Sequence, residues 1–359
     1  MPHTGRRQFL RGLLATGLAP TATWANAGSP VFISAAVLAN GDAVLCGLDA
    51  DLELTFRLPL PARGHAAAGH PTRPEAVAFA RRPGTFAIVI DCITGQQIAT
   101  LSAPEGRHFY GHGTFSADGA TLYTTENDYD AGRGCMGLWD ASNGYRRVGE
   151  WDSGGIGPHD IKRMPGSDIL VVANGGIDTH PDTGRVKLNI PSMRPNIAYL
   201  HNADVVERAY LSGDLHKNSI RHLAVSDAGL VAFAMQWEGD GTPTALVGTH
   251  RMGSDTNLLY APREDLRGME GYIGSIAVSP DGTTIAVTSP RGNAVQRFDA
   301  ETGMLIDTHV IADASGIAAA DDEFVITSGT GNLIRLRRHG TAQTRQASPR
   351  FDNHLVSLQ

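Results

Sequence analysis

Cysteine and aromatic residues are scarce in this sequence: 3 of its 359 residues are cysteine and 6% are aromatic. Cys46, Cys92 and Cys135 form no C-x-x-C pair, and an odd count permits at most one disulfide, so the fold depends on its core rather than on cross-links. A lysine-rich run is missing too, and 37 acidic residues against 30 basic ones give a formal net charge of −7. Phosphate backbones are bound by basic stripes, so this charge pattern argues against a nucleic-acid partner and for a small molecule, an ion or another protein. No segment sustains a helical period. What is abundant is glycine, 42 residues, within a composition that is 42% hydrophobic, which excludes both disorder and collagen.

The first 27 residues read as an export signal. Gly5-Arg6-Arg7-Gln8-Phe9-Leu10 places paired arginines before an apolar run, Leu13 to Ala22, and Ala25-Asn26-Ala27 supplies a small-x-small cleavage site. The run is too short, and too rich in Thr, Gly and Pro, to span a bilayer, so no transmembrane segment is expected in the mature chain. This predicts a twin-arginine leader over 1–27, a single domain over 28–359, and a periplasmic protein. That route moves chains already folded in the cytoplasm and suits proteins loaded with a cofactor before export.

Short apolar runs bounded by Gly, Asp and Asn recur along the rest of the chain, the signature of an all-β protein. Two turns repeat. Ser116-Ala117-Asp118-Gly119 matches Ser279-Pro280-Asp281-Gly282, and Asp91-Cys92-Ile93-Thr94-Gly95 matches Asp140-Ala141-Ser142-Asn143-Gly144 and Asp299-Ala300-Glu301-Thr302-Gly303. Aligning them gives a repeat of about 47 residues with four strands each, the pattern of a propeller blade. Inner strands fall at 66–69, 113–116, 160–164, 223–226, 276–279 and 316–320. The N-terminal stretch supplies strands at 32–37, 43–48 and 52–58 with no inner strand before them, and 353–358 reads as an isolated inner strand. Pairing the two ends predicts a seven-bladed β-propeller with four-stranded blades and no exposed sheet edge at the closure. The three cysteines fall in equivalent apolar strands, which predicts buried, inert thiols.

In this alignment a histidine stands just before the inner strand in five units: His65, His112, His159, His222 and His354, with Ser275 and Ser315 in the other two. Inner strands surround the central channel, so the five imidazoles are expected around its mouth. Neutral imidazole is a common ligand for iron, copper and zinc, and a ring of strands holds several at fixed separation. The other reading is structural. Tryptophan-aspartate repeat propellers carry a Gly-His dipeptide near this point for hydrogen bonding within each blade, which fits Gly64-His65 and Gly111-His112. It does not fit Pro158-His159, Arg221-His222 or Asn353-His354.

Loops on the same rim carry further candidates. Arg82, Arg133, Arg185 and Arg291 come from four blades and are placed to clamp a carboxylate-bearing ligand, such as an anionic metal chelate. Glu126, Asp128 and Asp160 are candidates to orient the histidines or add oxygen ligands, and His180 sits in the longest rim loop, 174–195. Each also reads as a solvated loop charge.

Three stretches are distinctive: Gly111-His112-Gly113-Thr114-Phe115-Ser116, Val172-Ala173-Asn174-Gly175-Gly176-Ile177, and Ser219-Ile220-Arg221-His222-Leu223-Ala224. With Tyr123 to Tyr129, Gly154 to His159 and Thr179 to Arg185, they resemble a family of twin-arginine-exported bacterial propellers of unknown function, encoded beside imelysin-type, iron-regulated periplasmic proteins. The resemblance spans nearly the whole mature chain. It implies a periplasmic location and a link to iron acquisition, and it implies no catalytic residues. The expectation is a protein holding iron or copper at the histidines, redox-active if the metal cycles. Two alternatives stand beside it: a docking module for an imelysin-like partner, and a lactonase-like hydrolase with Glu126 or a metal-bound water as base. No G-x-S-x-G motif supports acyl-enzyme chemistry. Four tryptophans without a repeat register do not support a quinone-cofactor dehydrogenase.

Overall fold

The turns that define the repeat are built by side chains. In the first kind, an aspartate carboxylate accepts from a serine hydroxyl two residues back and from a backbone N–H two residues on. Asp118 does so with Ser116 (2.6 Å) and Ala120 (2.9 Å), and Asp281 with Ser279 (2.6 Å) and Thr283 (3.0 Å). The glycine that follows, Gly119 or Gly282, takes the left-handed backbone such a turn requires (φ 74° and 73°). Each turn joins the two innermost strands of a blade, and repetition of the unit generates the sheet set.

A computed structural model describes residues 21–81, 85–184, 186–321, 323–337 and 343–358. It is a seven-bladed β-propeller with antiparallel blades. From the channel outward, blade 2 is Gly64–Gly69, Glu75–Ala80, Phe86–Asp91 and Gln97–Ser102, and blade 3 is Arg107–Phe115, Thr121–Asp128, Arg133–Asp140 and Arg146–Asp152. Blade 4 comprises Pro158–Arg163, Ile169–Asn174, Asn196–His201 and Asp204–Tyr210, and blade 5 comprises Asn218–Val225, Val231–Trp237, Val247–His250 and Asn257–Leu258. Blade 6 runs Ser275–Val278, Thr284–Ser289, Ala294–Asp299 and Leu305–Val310, and blade 7 runs Ala314–Ala320, Glu323–Ser328, Asn332–Arg337 and Gln343–Gln346. Blade 1 joins both ends of the chain: Phe32–Val37, Ala43–Leu48 and Leu54–Pro59 come from the N-terminal side. The inner edge comes from Arg350–Phe351 and Val356–Ser357, both antiparallel to Phe32–Val37.

The closure is as expected, with one difference. The C-terminal strand starts earlier, at Arg350, and is interrupted between Phe351 and Val356, where His354 lies. The remaining inner strands with histidines also start earlier than expected, so those histidines lie within strands rather than before them. A six-residue helix, Arg263–Gly268, precedes blade 6. Trp24–Ala27, expected as the tail of the leader, packs on the propeller: Ala27 is buried and the Trp24 indole donates to the His70 carbonyl (2.9 Å). Residues 1–20, with the paired arginines, lie outside the described residues. Among those described, no helix is long and apolar enough to cross a membrane.

The core lies between blades. Val171, Tyr199, Leu223 and Phe233 fill the space between blades 4 and 5, and Phe32, Val44, Val325, Leu333 and Phe351 that between 7 and 1. Because each blade buries both faces against its neighbours, apolar burial also fixes the relative positions of the inner strands. All three cysteines are buried, and burial pushes each thiol up to about 12, as inert thiols should be. Cys46 and Cys135 lie on third strands, while Cys92 stands one residue beyond its strand.

Candidate metal centre

Each inner strand that carries a ring histidine breaks its ladder register where the histidine sits. The breaks fall between Gly64 and Ala67, Phe109 and Gly113, Pro158 and Asp160, and Ile220 and His222. In blade 1 the gap in the C-terminal strand has the same result. A bulge turns a side chain that would otherwise pack between sheets, and here it turns five imidazoles onto the channel axis. Gly111 belongs to this device: its φ is +99°, and a Cβ there would meet His65 Cδ2 at 2.7 Å.

The five rings form one cluster. Centroid separations are 4.6 Å for His65–His354 and His112–His354, 5.1 Å for His65–His112 and 5.0 Å for His112–His159. His159–His222 at 4.8 Å and His222–His354 at 4.9 Å close the set. Blades 6 and 7 present Ser275 and Ser315 instead, and both hydroxyls have backbone partners. His112, His222 and His354 are buried, and His65 and His159 are partly so. One nitrogen of each ring is shut from water without a hydrogen-bond partner: Nδ1 of His65, His159 and His222, and Nε2 of His112 and His354. One ring nitrogen each from His65, His112 and His159 lies within 4.8 Å of the others, as does one each from His112, His222 and His354.

Burial keeps four of these rings, His112, His159, His222 and His354, neutral. Burial lowers His112 to about 4 despite the opposing pull of Asp160. Burial likewise carries His159, His222 and His354 well below the ordinary imidazole value, with Arg221 adding to the effect at His159 and the neighbouring histidines at the other two. Asp160 supports His112 across a blade boundary, with Oδ1 3.3 Å from His112 Nδ1. It also stands 3.2 Å from Lys162 Nζ and accepts from the Leu223 N–H at 3.0 Å. Burial works to raise the Asp160 carboxyl, but Lys162 and His112 hold it well below the usual carboxylate range.

The other expected residues lie elsewhere or beyond description. Glu126 is sealed inside blade 3, where its carboxylate crosses Gly137 to Arg147 (2.7 Å) on the outermost strand. A Cβ at residue 137 would meet it at 1.9 Å. Asp128 pairs with Arg107 and Arg133 (both 2.8 Å), and Arg133 also with Glu150 (2.8 Å), so these charges brace blade 3 rather than orient the histidines. Arg291 stacks on Tyr272 at 4.2 Å, and His180 packs against Tyr129 at 5.1 Å. Arg82 and Arg185 lie outside the described residues. Glu126 has no exposed surface, so a role as solvent-facing base does not fit its position.

Sequence reasoning missed Asp352. It binds Arg63 (2.7 Å) and Arg81 (2.6 Å), and its Oδ1 is 3.9 Å from His65 Nδ1, making it a counterpart of the Asp160–His112 pair. The available signal was its place two residues before His354, as Asp160 directly follows His159. Above the cluster, at the mouth, a chamber of about 230 Å³ is lined by His65, His159, Arg81, Arg221, Lys187 and Tyr110, with Ile177 and Thr179 from the long rim loop. Below it, a channel of about 570 Å³, lined by small apolar residues and by polar ones that include Asp160, Lys162, Ser226 and Asp227, reaches His112, His222 and His354.

Fold and site together define a seven-bladed β-propeller with an all-imidazole cluster on its axis. The chain belongs to the family described as "Protein of unknown function (DUF1513)", whose model matches residues 58–358. Similar solved structures include hydrazine synthase from Kuenenia stuttgartiensis, at 12% identity and a TM-score of 0.61, over 92% of this chain and 99% of that one. Another is a functionally unknown protein from Desulfotomaculum acetoxidans, at 12% identity and a TM-score of 0.59, over 90% and 98%. At such identity the likeness is one of fold. No curated protein matches the chain.

Proposed function

We propose that this propeller is a metal-binding protein that holds iron or copper at His65, His112, His159, His222 and His354. The observation that carries the reading is one cluster of five imidazole rings, each with a buried nitrogen that has no hydrogen-bond partner. A buried polar atom without a partner costs about 1–3 kcal/mol, and native proteins keep very few of them. Two overlapping groups, His65, His112 and His159, and His112, His222 and His354, each bring three ring nitrogens within 4.8 Å of one another, a ligand set that a metal ion would satisfy. The donors are imidazole nitrogens, which suit iron, copper or zinc rather than calcium or magnesium, and the lowered proton affinity of His112, His159, His222 and His354 leaves their lone pairs available at neutral pH. Asp160, which faces His112 Nδ1 and leaves Nε2 as the unpartnered nitrogen, fits the carboxylate–histidine support that metal-ligating imidazoles commonly have.

When bound, such a metal would supply Lewis acidity or a redox couple; the chain's own part is to fix the imidazoles and keep four of them neutral. The sequence resemblance supports placing this site in the periplasm after twin-arginine export, in the service of iron acquisition. Elemental analysis of protein purified after export, beside a His112→Ala/His159→Ala double variant, tests the reading. Iron or copper in the parent and its loss from a variant with an unchanged circular dichroism spectrum is the expected result. Metal-free parent protein of normal fold would overturn it and leave docking of an imelysin-like protein as the account to pursue.

A further inference from the structure

The chamber above the histidines has its own chemistry, and it concerns charge. Arg81, Arg221 and Lys187 line it; Arg81 pairs with Asp352, which also binds Arg63, and Glu238 pairs with Lys187 and lies 3.8 Å from Arg221. Beneath, Asp160 is matched by Lys162. Among the described residues, the chamber lining thus holds three cationic side chains and no carboxylate before any metal is counted, and the ring histidines add no negative charge. A metal ion there would leave a surplus of positive charge in a partly enclosed space, which is costly unless an anion shares it.

Geometry says where that anion sits. His65 and His159 belong to one of the three-histidine groups and also form part of the chamber wall. A metal held by that group has two of its ligands on the chamber side, the arrangement of a site that takes an outside ligand. Arginine offers a planar fork suited to carboxylate, and Asp352 engages one Nη of Arg81, leaving further donors on that guanidinium. Ile177 and the Tyr110 ring give part of the lining an apolar character that a bare inorganic anion does not use. At about 230 Å³, the space is smaller than a drug-sized pocket and admits a ligand of only a few carbon atoms.

We propose that this chamber binds a small organic carboxylate, held by Arg81, Arg221 and Lys187, that completes the coordination of the metal; the inference rests on the metal reading above. Titration calorimetry tests it with malonate and, separately, inorganic phosphate. The samples are metal-loaded protein, metal-stripped protein, and loaded Arg81→Gln and Arg221→Gln variants checked for fold by circular dichroism. Malonate should bind the loaded parent more tightly than phosphate does, and lose about tenfold or more in affinity in each variant and on metal removal. If Arg221→Gln fails to fold, Arg81→Gln, whose side chain is partly exposed, carries the test alone. Absence of malonate binding by loaded protein, equal binding by the variants, or a preference for phosphate overturns the inference and leaves the metal reading standing. A parent that takes up no metal overturns the metal reading instead, and tenfold weaker malonate binding by the metal-free variants would then still support the chamber as a carboxylate site.

Discussion

An imidazole closed off from water keeps a lone pair that must find a partner or cost the fold free energy. Four of the five axial histidines have their proton affinity lowered by burial. The sign of the resulting pH effect follows directly. Above the ordinary value of 6.5 both folded and unfolded chains are neutral at these rings; below it the unfolded chain takes up protons that the folded one refuses. Stability from these groups is therefore present above 6.5 and lost as pH falls toward about 4, where His112 titrates in the fold. Urea unfolding of metal-stripped protein should show stability falling between pH 6.5 and 5 by more than one proton's worth, and the His112→Ala/His159→Ala variant should flatten the slope. A parent with constant stability over that window would contradict the neutral cluster. Asp160→Asn belongs to the same scale: it keeps the shape and removes the charge behind His112, so metal affinity should fall by about 10–100-fold in a competition titration with a chelator. Unchanged affinity would mean that Asp160 supports only the blade 5 backbone through Leu223.

Strands were more legible than the positions of side chains along them. The repeat of Asp-Gly turns marks where each blade begins again, so the histidine register could be read from spacing alone. The bulges could not, because a one-residue ladder shift leaves no trace in hydrophobic periodicity, and the histidines were expected before the strands. Glu126, Asp128 and Arg133 illustrate the converse. Their polarity suggested a rim, but strand alternation turns Glu126 toward Arg147, and Asp128 and Arg133 pair across adjacent strands. Blade 3 gains a charge lattice from this, centred on Glu150, which hydrogen bonding to Arg107, and then to Arg133 and Arg147, pulls down to about 2. A depressed carboxylate contributes above its unfolded value of about 4.5 and loses that contribution as pH falls toward 2. Glu150→Gln should lower stability at pH 7 by less than about 1 kcal/mol, since the carboxylate is partly exposed, and should make the acid-side decline shallower. An unchanged acid profile would show that the lattice holds without it.

At the scale of the whole molecule, closure and site are one construction. The segment that completes blade 1 carries Phe351 into the core between blades 7 and 1, Asp352 to Arg63 and Arg81, and His354 into the cluster. Pairing of the chain ends was visible in the sequence as a missing strand at one terminus and a spare one at the other. The partnership of Asp352 with His65 was not, because it exists only once the ring is shut. Phe351→Ala, which removes a buried ring, should cost about 3–5 kcal/mol in unfolding measurements and weaken metal retention with it. Loss of stability without any effect on metal would separate closure from the site. The central claim is tested most directly by anomalous diffraction at the iron and copper edges from crystals of protein purified after export. The account predicts an anomalous peak on the channel axis about 2 Å from nitrogens of at least three of the five histidines. Ordered water or empty space between those rings, with no anomalous signal at either edge, would contradict it.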